Sequence, residues 1–194
     1  YSTKAYGLAG VTNAVDEEGI ATVYTYDENR RLATTIRLGV SSSNRVDASG
    51  NAIQQLRWAG SLSVTNSAGY DKAGRLTAST NELGYVTTTA YSTNASGEQV
   101  VTATMPDSSI SIETNYRDGQ MKSASGTGRY PLFYDYGVDA DGAYTIEYKG
   151  TNASATEWTK SYTDPPGRNV KTVQPGYTNV ITYNSVGQQV NASD

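Results

Sequence analysis

Side chains that titrate near neutrality or attack carbonyl carbon are scarce in this chain, which has neither histidine nor cysteine. A serine nucleophile would have to lose its proton to a lysine or carboxylate, and no serine stands in a setting that suggests it. The remaining candidates use oxygen ligands and aromatic faces. Asp139-Ala140-Asp141-Gly142 alternates carboxylates as a calcium loop does, but Tyr148 and Lys149 occupy the neighbourhood where an EF-hand needs its bidentate glutamate. A plain turn accounts for it better. Gly126-Thr127-Gly128 meets Pro131 where a dinucleotide fingerprint wants glycine, and no βαβ pattern surrounds it. Asn94-Ala95-Ser96, Asn152-Ala153-Ser154 and Asn191-Ala192-Ser193 are formal glycosylation sequons in a chain rich in Asn, Ser and Thr. Trp58 and Trp158, with the tyrosines, could stack on sugars, although period-two aromatics more often pair across strands. The expectation is therefore no catalytic residue, no cofactor and no metal site, with Trp58 and Trp158 as the candidates for sugar stacking.

Such groups would have to be carried by β structure. The chain has 194 residues and a net charge of −4, one phenylalanine, and sixteen tyrosines with two tryptophans in place of aliphatic bulk. Tyr, Thr and Val suit half-buried pleated surfaces. Ile110, Ile112, Thr114 and Tyr116 share one face, as do Tyr144, Ile146 and Tyr148. No segment offers a sustained helical stripe, and Asn51 to Trp58 reads as a strand. Charges are interspersed and the pI is about 4.9, which argues against nucleic acid or an anionic membrane surface as partner. No apolar run approaches a membrane span. Without cysteine the redox compartment is not legible.

The strands are punctuated by a repeating turn. Asp71-Lys72-Ala73-Gly74 has an Asx side chain to cap the backbone and a glycine to take the left-handed position. Similar tips stand at Asp47 to Gly50, Asn94 to Gly97, Asp139 to Gly142, Asp164 to Gly167 and Asn184 to Gly187, with a shortened version at Asp118-Gly119. Their glycines recur about every 20–25 residues, a repeat-architecture period. A second set of turn signals lies between them, at Asp16 to Gly19, Asn81 to Gly84, Pro106 to Ser109 and Gln174 to Gly176. Ser123 to Pro131 reads as a loop or bulged strand. Pro166 disfavours the helical conformation at Pro165 that a type I turn needs, so the Asp164 tip is expected to use another turn.

Tyr70-Asp71-x-x-Gly74-Arg75-Leu76 resembles the YD repeat of rearrangement-hotspot (Rhs) proteins, teneurins and insecticidal toxin-complex shells. Tyr26-Asp27 to Leu32 matches it except that Arg30 takes the glycine position; Tyr162 to Arg168 has one residue more between tyrosine and Asp164, and Tyr183 to Gln188 is a looser copy. The motif residues are Tyr26, Asp27, Tyr70, Asp71, Gly74, Arg75, Asp164, Gly167 and Arg168. In that family such hairpins join into a curved, spiralling sheet that closes into a shell around a polypeptide. Family members also carry paired Asp-Pro-x-Gly motifs for autoproteolysis; only Asp164-Pro165-Pro166-Gly167 is present, and proteolysis is not carried over.

Together these readings predict an all-β antiparallel meander of YD-type hairpins, roughly 16–18 short strands, forming a curved strip of β-shell as a single array over residues 1–194. The resemblance implies a structural module of a secreted or cell-surface protein, without catalytic activity, that encloses a polypeptide. The alternative is a carbohydrate-binding module for a cell-surface glycan. The segment is expected to be a piece of a larger shell. Its first and last strands carry few charges to discourage edge pairing, so the expected partners are flanking repeats or further copies of the chain.

Overall fold

A computed structural model describes residues 2–193. Eighteen strands and no helix are present among the described residues. Two compact units divide the chain at Thr89/Ala90.

In the first unit, β1 (Thr3–Gly7), β2 (Gly10–Val15), β3 (Ala21–Tyr26), β4 (Leu32–Arg37), β5 (Val40–Val46), β6 (Ala52–Ala59), β7 (Leu62–Tyr70) and β8 (Leu76–Thr80) each pair antiparallel with the next. β8 pairs in turn with β9 (Val86–Thr93), through Ala78 opposite Thr88. The second unit runs the same way through β10 (Gln99–Thr104), β11 (Ile110–Asn115), β12 (Met121–Ser125), β13 (Leu132–Asp139), β14 (Gly142–Lys149), β15 (Trp158–Thr163), β16 (Asn169–Gln174), β17 (Tyr177–Tyr183) and β18 (Gln189–Ser193). The fold is the all-β antiparallel meander that period-two alternation and phased turns lead one to expect.

Each unit has little interior. The most enclosed apolar side chains are Ala124 and Tyr162, at 0% and 4% exposure, and no large side chain among the described residues is fully buried. A sheet without a covering layer keeps its side chains only half out of water. Stability must then come largely from neighbours along the sheet. In the second unit Phe133 stands opposite Tyr148, with ring centroids 6.0 Å apart, and Tyr148 stands opposite Trp158. Tyr144 packs edge-on against Tyr162 at 5.9 Å. Such cross-strand pairs contribute roughly 0.2–1 kcal/mol each.

Three departures from the sequence expectation appear at the turns. The Asp164 tip keeps the repeat's ordinary hydrogen bonds, Gly167 N–H to Asp164 C=O at 2.8 Å and Asp164 N–H to Arg168 C=O at 3.0 Å, with every peptide trans. The Asp164–Arg168 side-chain pair closes that turn against the preference of a residue preceding proline. The Asp118-Gly119 tip is not shortened: Tyr116 occupies the Asx position, its carbonyl accepting from Gly119 N–H at 3.0 Å and its N–H reaching Gln120 C=O at 2.8 Å. The turn assigned to Pro106–Ser109 begins one residue earlier, at Met105, and Ser108 takes the left-handed position with φ 67°.

Candidate functional site

The side chains invested most regularly are those of the hairpin tips. In each five-residue tip the first residue's carbonyl accepts from the fourth residue's N–H, and its own N–H reaches the fifth residue's carbonyl. This is a type I turn followed by a left-handed bulge residue. Asp71 Oδ1 accepts from the N–H groups of Ala73 and Arg75, both at 2.9 Å, while its Oδ2 accepts from Arg75 Nε at 2.8 Å and Nη2 at 2.7 Å. Asp164 holds Arg168 in the same fork, while Asp27 accepts from the N–H groups of Asn29 and Arg31 and from Arg31 Nε, Arg31 Nη1 reaching on to the Asp47 carbonyl. One carboxylate thus closes the turn through one oxygen and holds an arginine fork through the other. Asp47 with Asn51, Asn94 with Glu98 and Asn184 with Gln188 are neutral or inverted versions of this clamp. Gly74 and Gly167 sit at φ 77° and 87°, and Arg30 adopts the same conformation at φ 62°. The Asp27 tip therefore uses the common turn and carries the strain of a side chain there.

These contacts hold the Asp carboxyls below their usual range. For Asp71 the leading causes are the Arg75 N–H and then the Arg75 guanidinium; for Asp164 burial opposes, and the Arg168 bonds outweigh it. Asp139 is held furthest down, at about 2, first by the bond from Lys160 Nζ at 2.6 Å. Burial works against the Lys160 ammonium, yet Asp139 and Tyr162 hold it above its ordinary value. Lys160 also lies 3.7 Å from the Tyr144 ring centroid. Tyr134 is pushed up to about 12, first by burial and then by its bond to Glu147.

Tips and strands are joined to their neighbours by tyrosines in a way the sequence did not reveal. Tyr26 Oη donates to Val11 C=O at 2.8 Å, Tyr70 to Ala52 at 3.2 Å, Tyr136 to Met121 at 2.8 Å and Tyr183 to Asn169 at 2.9 Å. Each acceptor is the first residue after the preceding hairpin's tip. Gly10 is needed for the first of these, since a Cβ there would stand 2.8 Å from Tyr26 Oη. Tyr162, offset by its extra residue, donates to the Asp139 carboxylate of the preceding tip at 3.0 Å. Cations add further links: Lys122 to Glu98 at 2.6 Å, Lys171 to Asp141 at 2.8 Å and Arg117 Nε to Ser96 C=O at 2.8 Å. A main-chain carbonyl acceptor has no sequence signature, which is why these bonds were missed.

The other candidates are dispersed. The two carboxylates of Asp139-Ala140-Asp141 are engaged by Lys160 and Lys171, and the described residues contain no group of carboxylates placed to hold a metal ion. Trp58 is half-buried on β6, on the sheet face opposite the neighbouring Val64, Leu62 and Val40. A depression of about 400 Å³ lies among Val40, Arg57, Trp58, Leu62 and Val64. Trp158 is half-buried in the row with Tyr148 and borders a polar hollow of about 380 Å³ with Lys149, Glu157, Thr159 and Gln174. Asn94 is engaged in its turn, and Asn152, in an exposed loop, also accepts through Oδ1 from Ser154 N–H at 2.9 Å.

Residues 70–110 match the family model described as RHS Repeat. No curated protein matches the chain by sequence. Among solved structures, a TcdB2-TccC3 crystal structure and the TcdB2-TccC3-Cdc42 crystal structure each align at TM-score 0.58 with 12% identity, over 98% of this chain and 13% of theirs. The Tc holotoxin pore of Photorhabdus luminescens, with a TccC3 mutation, aligns at TM-score 0.55 and 12% identity, over 98% of this chain and 12% of that one. The chain thus spans about an eighth of the length of those it matches. At this identity the likeness is one of fold. The tyrosine–aspartate tip at Tyr70 and Asp71 opens the segment that matches the RHS Repeat model, and the chain shares its antiparallel β-meander fold with these toxin-complex chains.

Proposed function

We propose that the chain is a wall segment of an Rhs-type β-shell: a single structural array, without catalytic activity, belonging to a secreted or surface protein whose shell encloses a polypeptide. The carrying observation is the phased repetition of one clamped tip, bonded to the hairpin before it, in sheets that have almost no interior of their own. Side chains are spent on joining hairpins, and the paired carboxylates Asp139 and Asp141 are engaged by Lys160 and Lys171. The fold shared with TcdB2-TccC3 supports the reading.

Protease protection of the full-length protein tests it. Native protein should shield both this segment and an enclosed polypeptide, and Asp71→Ala with Asp164→Ala should speed digestion of both. Digestion of the native protein as fast as of the denatured chain would contradict the wall role. The rival reading, glycan binding by Trp58 or Trp158, is checked on a glycan array. Saturable binding lost in Trp58→Ala or Trp158→Ala would favour the rival, and half-burial of both rings argues for its absence.

A further inference from the structure

Four lysine–carboxylate pairs stand among the described residues: Lys122 with Glu98, Lys149 with Glu157, Lys160 with Asp139 and Lys171 with Asp141. Glu98 is the buried carboxylate of this set, at 8% exposure, and the one that also holds a side-chain amide. Its Oε1 accepts from Lys122 Nζ at 2.6 Å, and its Oε2 accepts from Asn94 Nδ2 at 2.8 Å. One carboxyl group thus touches a primary amine and a primary amide. The amide carbonyl is held as well, because Asn94 Oδ1 accepts from the N–H groups of Ser96 and Glu98, both at 3.0 Å. Lys122 reaches the tip because the β11–β12 ladder bulges around it: Thr114 stands opposite Ser123 and Asn115 opposite Met121, with Lys122 unopposed between them. Bulges re-aim side chains in this way. The Tyr116 ring borders the ammonium, 5.4 Å from Nζ to centroid.

These are the parts an amide exchange needs: a nucleophile, a carbonyl oxygen already facing two N–H donors, and a group within proton-transfer reach of both the attacking and the leaving nitrogen. We propose that Lys122 and Asn94 join in an intramolecular isopeptide bond, with Glu98 as the proton carrier. At rest Lys122 first, and Asn94 second, hold the Glu98 carboxyl below its usual range, so the pair is ionic and the reaction is slow. Burial offsets part of that cost, since a neutral amine and acid replace two enclosed charges. Lys122 Nζ passes one proton to Glu98 and attacks Asn94 Cγ, the Nζ–Cγ bond forming as Oδ1 takes the negative charge between the two N–H groups. Glu98 delivers that proton to Nδ2 and accepts the second from Nζ. The Cγ–Nδ2 bond then breaks, and ammonia leaves with the last proton as ammonium. Neither an oxidant nor water enters the balance. Holding amine and amide on one carboxyl group supplies the proximity that so sluggish a reaction requires. The product staples the β9–β10 tip to β12 of the next hairpin. The chain modifies itself once and turns over no substrate, so the proposal stands apart from the wall reading.

Peptide mapping of the full-length protein by mass spectrometry tests it. After prolonged incubation of the native protein, the tryptic peptide carrying Asn94 should be found joined to the one carrying Lys122, lighter than their sum by one ammonia, in a yield that grows with time. The linked peptide should be absent from Lys122→Arg, which keeps a cation beside Glu98. It should form about a hundredfold more slowly in Glu98→Gln, which keeps the shape and loses the proton carrier. Circular dichroism checks that both variants keep their β signature; if Glu98→Gln unfolds, the time course of the native protein and its contrast with Lys122→Arg still decide. Folded native protein that yields no linked peptide, or linkage undiminished in folded Glu98→Gln, would overturn the inference. So would a loss of ammonia confined to the Asn94 peptide and persisting in Lys122→Arg, the mark of Asn94 cyclising onto its own backbone.

Discussion

Arg30 occupies a backbone conformation that Gly74, Gly97, Gly119, Gly167 and Gly187 fill without a Cβ. The clamp from Asp27 to Arg31 over-determines the turn and holds Arg30 there. Arg30→Gly should relieve the strain and stabilise by about 1 kcal/mol, while Gly74→Ala should cost about as much. Nothing else crowds Gly74, so its cost is purely conformational. Thermal melts of the two variants check both signs; a lower melting temperature for Arg30→Gly would contradict the assignment of that tip. Tyr183→Phe removes only a hydroxyl from a half-buried bond and should cost about 1 kcal/mol. Tyr70→Phe, whose bond is longer and exposed, should cost less. Urea unfolding of the pair measures the order.

At the level of hairpins, the glycine-phased tips were legible because Asx capping and left-handed glycine are local rules written into four adjacent residues. What escaped was non-local or unmarked. Leu38-Gly39 and Gly60-Ser61 turn with two residues and no Asx, and Leu38 itself is left-handed at φ 51°. Tyr116 stands where an Asx was sought, so the tip looked short. Cross-strand packing of the period-two tyrosines was anticipated, but the tyrosine bonds depend on which carbonyl lies across the sheet. The tips also set a pH response. The carboxyls of Asp16, Asp27, Asp47, Asp71, Asp139 and Asp164 are all held low when folded. Each therefore contributes stability above its unfolded value near 3.8, lost as pH falls through the folded value, about 2 for Asp139. Urea midpoints should hold steady from pH 7 to about 5 and fall between about 4 and 2. A midpoint unchanged at pH 3 would show that the clamps carry no folding free energy. The absence of histidine leaves no side chain with an ordinary pKa near 6.5 to give a transition there.

For the chain taken entire, sheets with so little interior place the burden of stability on links between successive hairpins. Amide hydrogen exchange tests this most directly, because the first and fourth N–H groups of every clamped tip are hydrogen-bonded although the tips lie at the surface. Protection is predicted at Asp71 and Gly74, Asn94 and Gly97, and Asp164 and Gly167, recurring with the repeat, comparable to that of the flanking strands and lost locally in Asp71→Ala. Tips that exchange like free loops, with protection confined to one patch of the chain, would contradict an array held together at its tips.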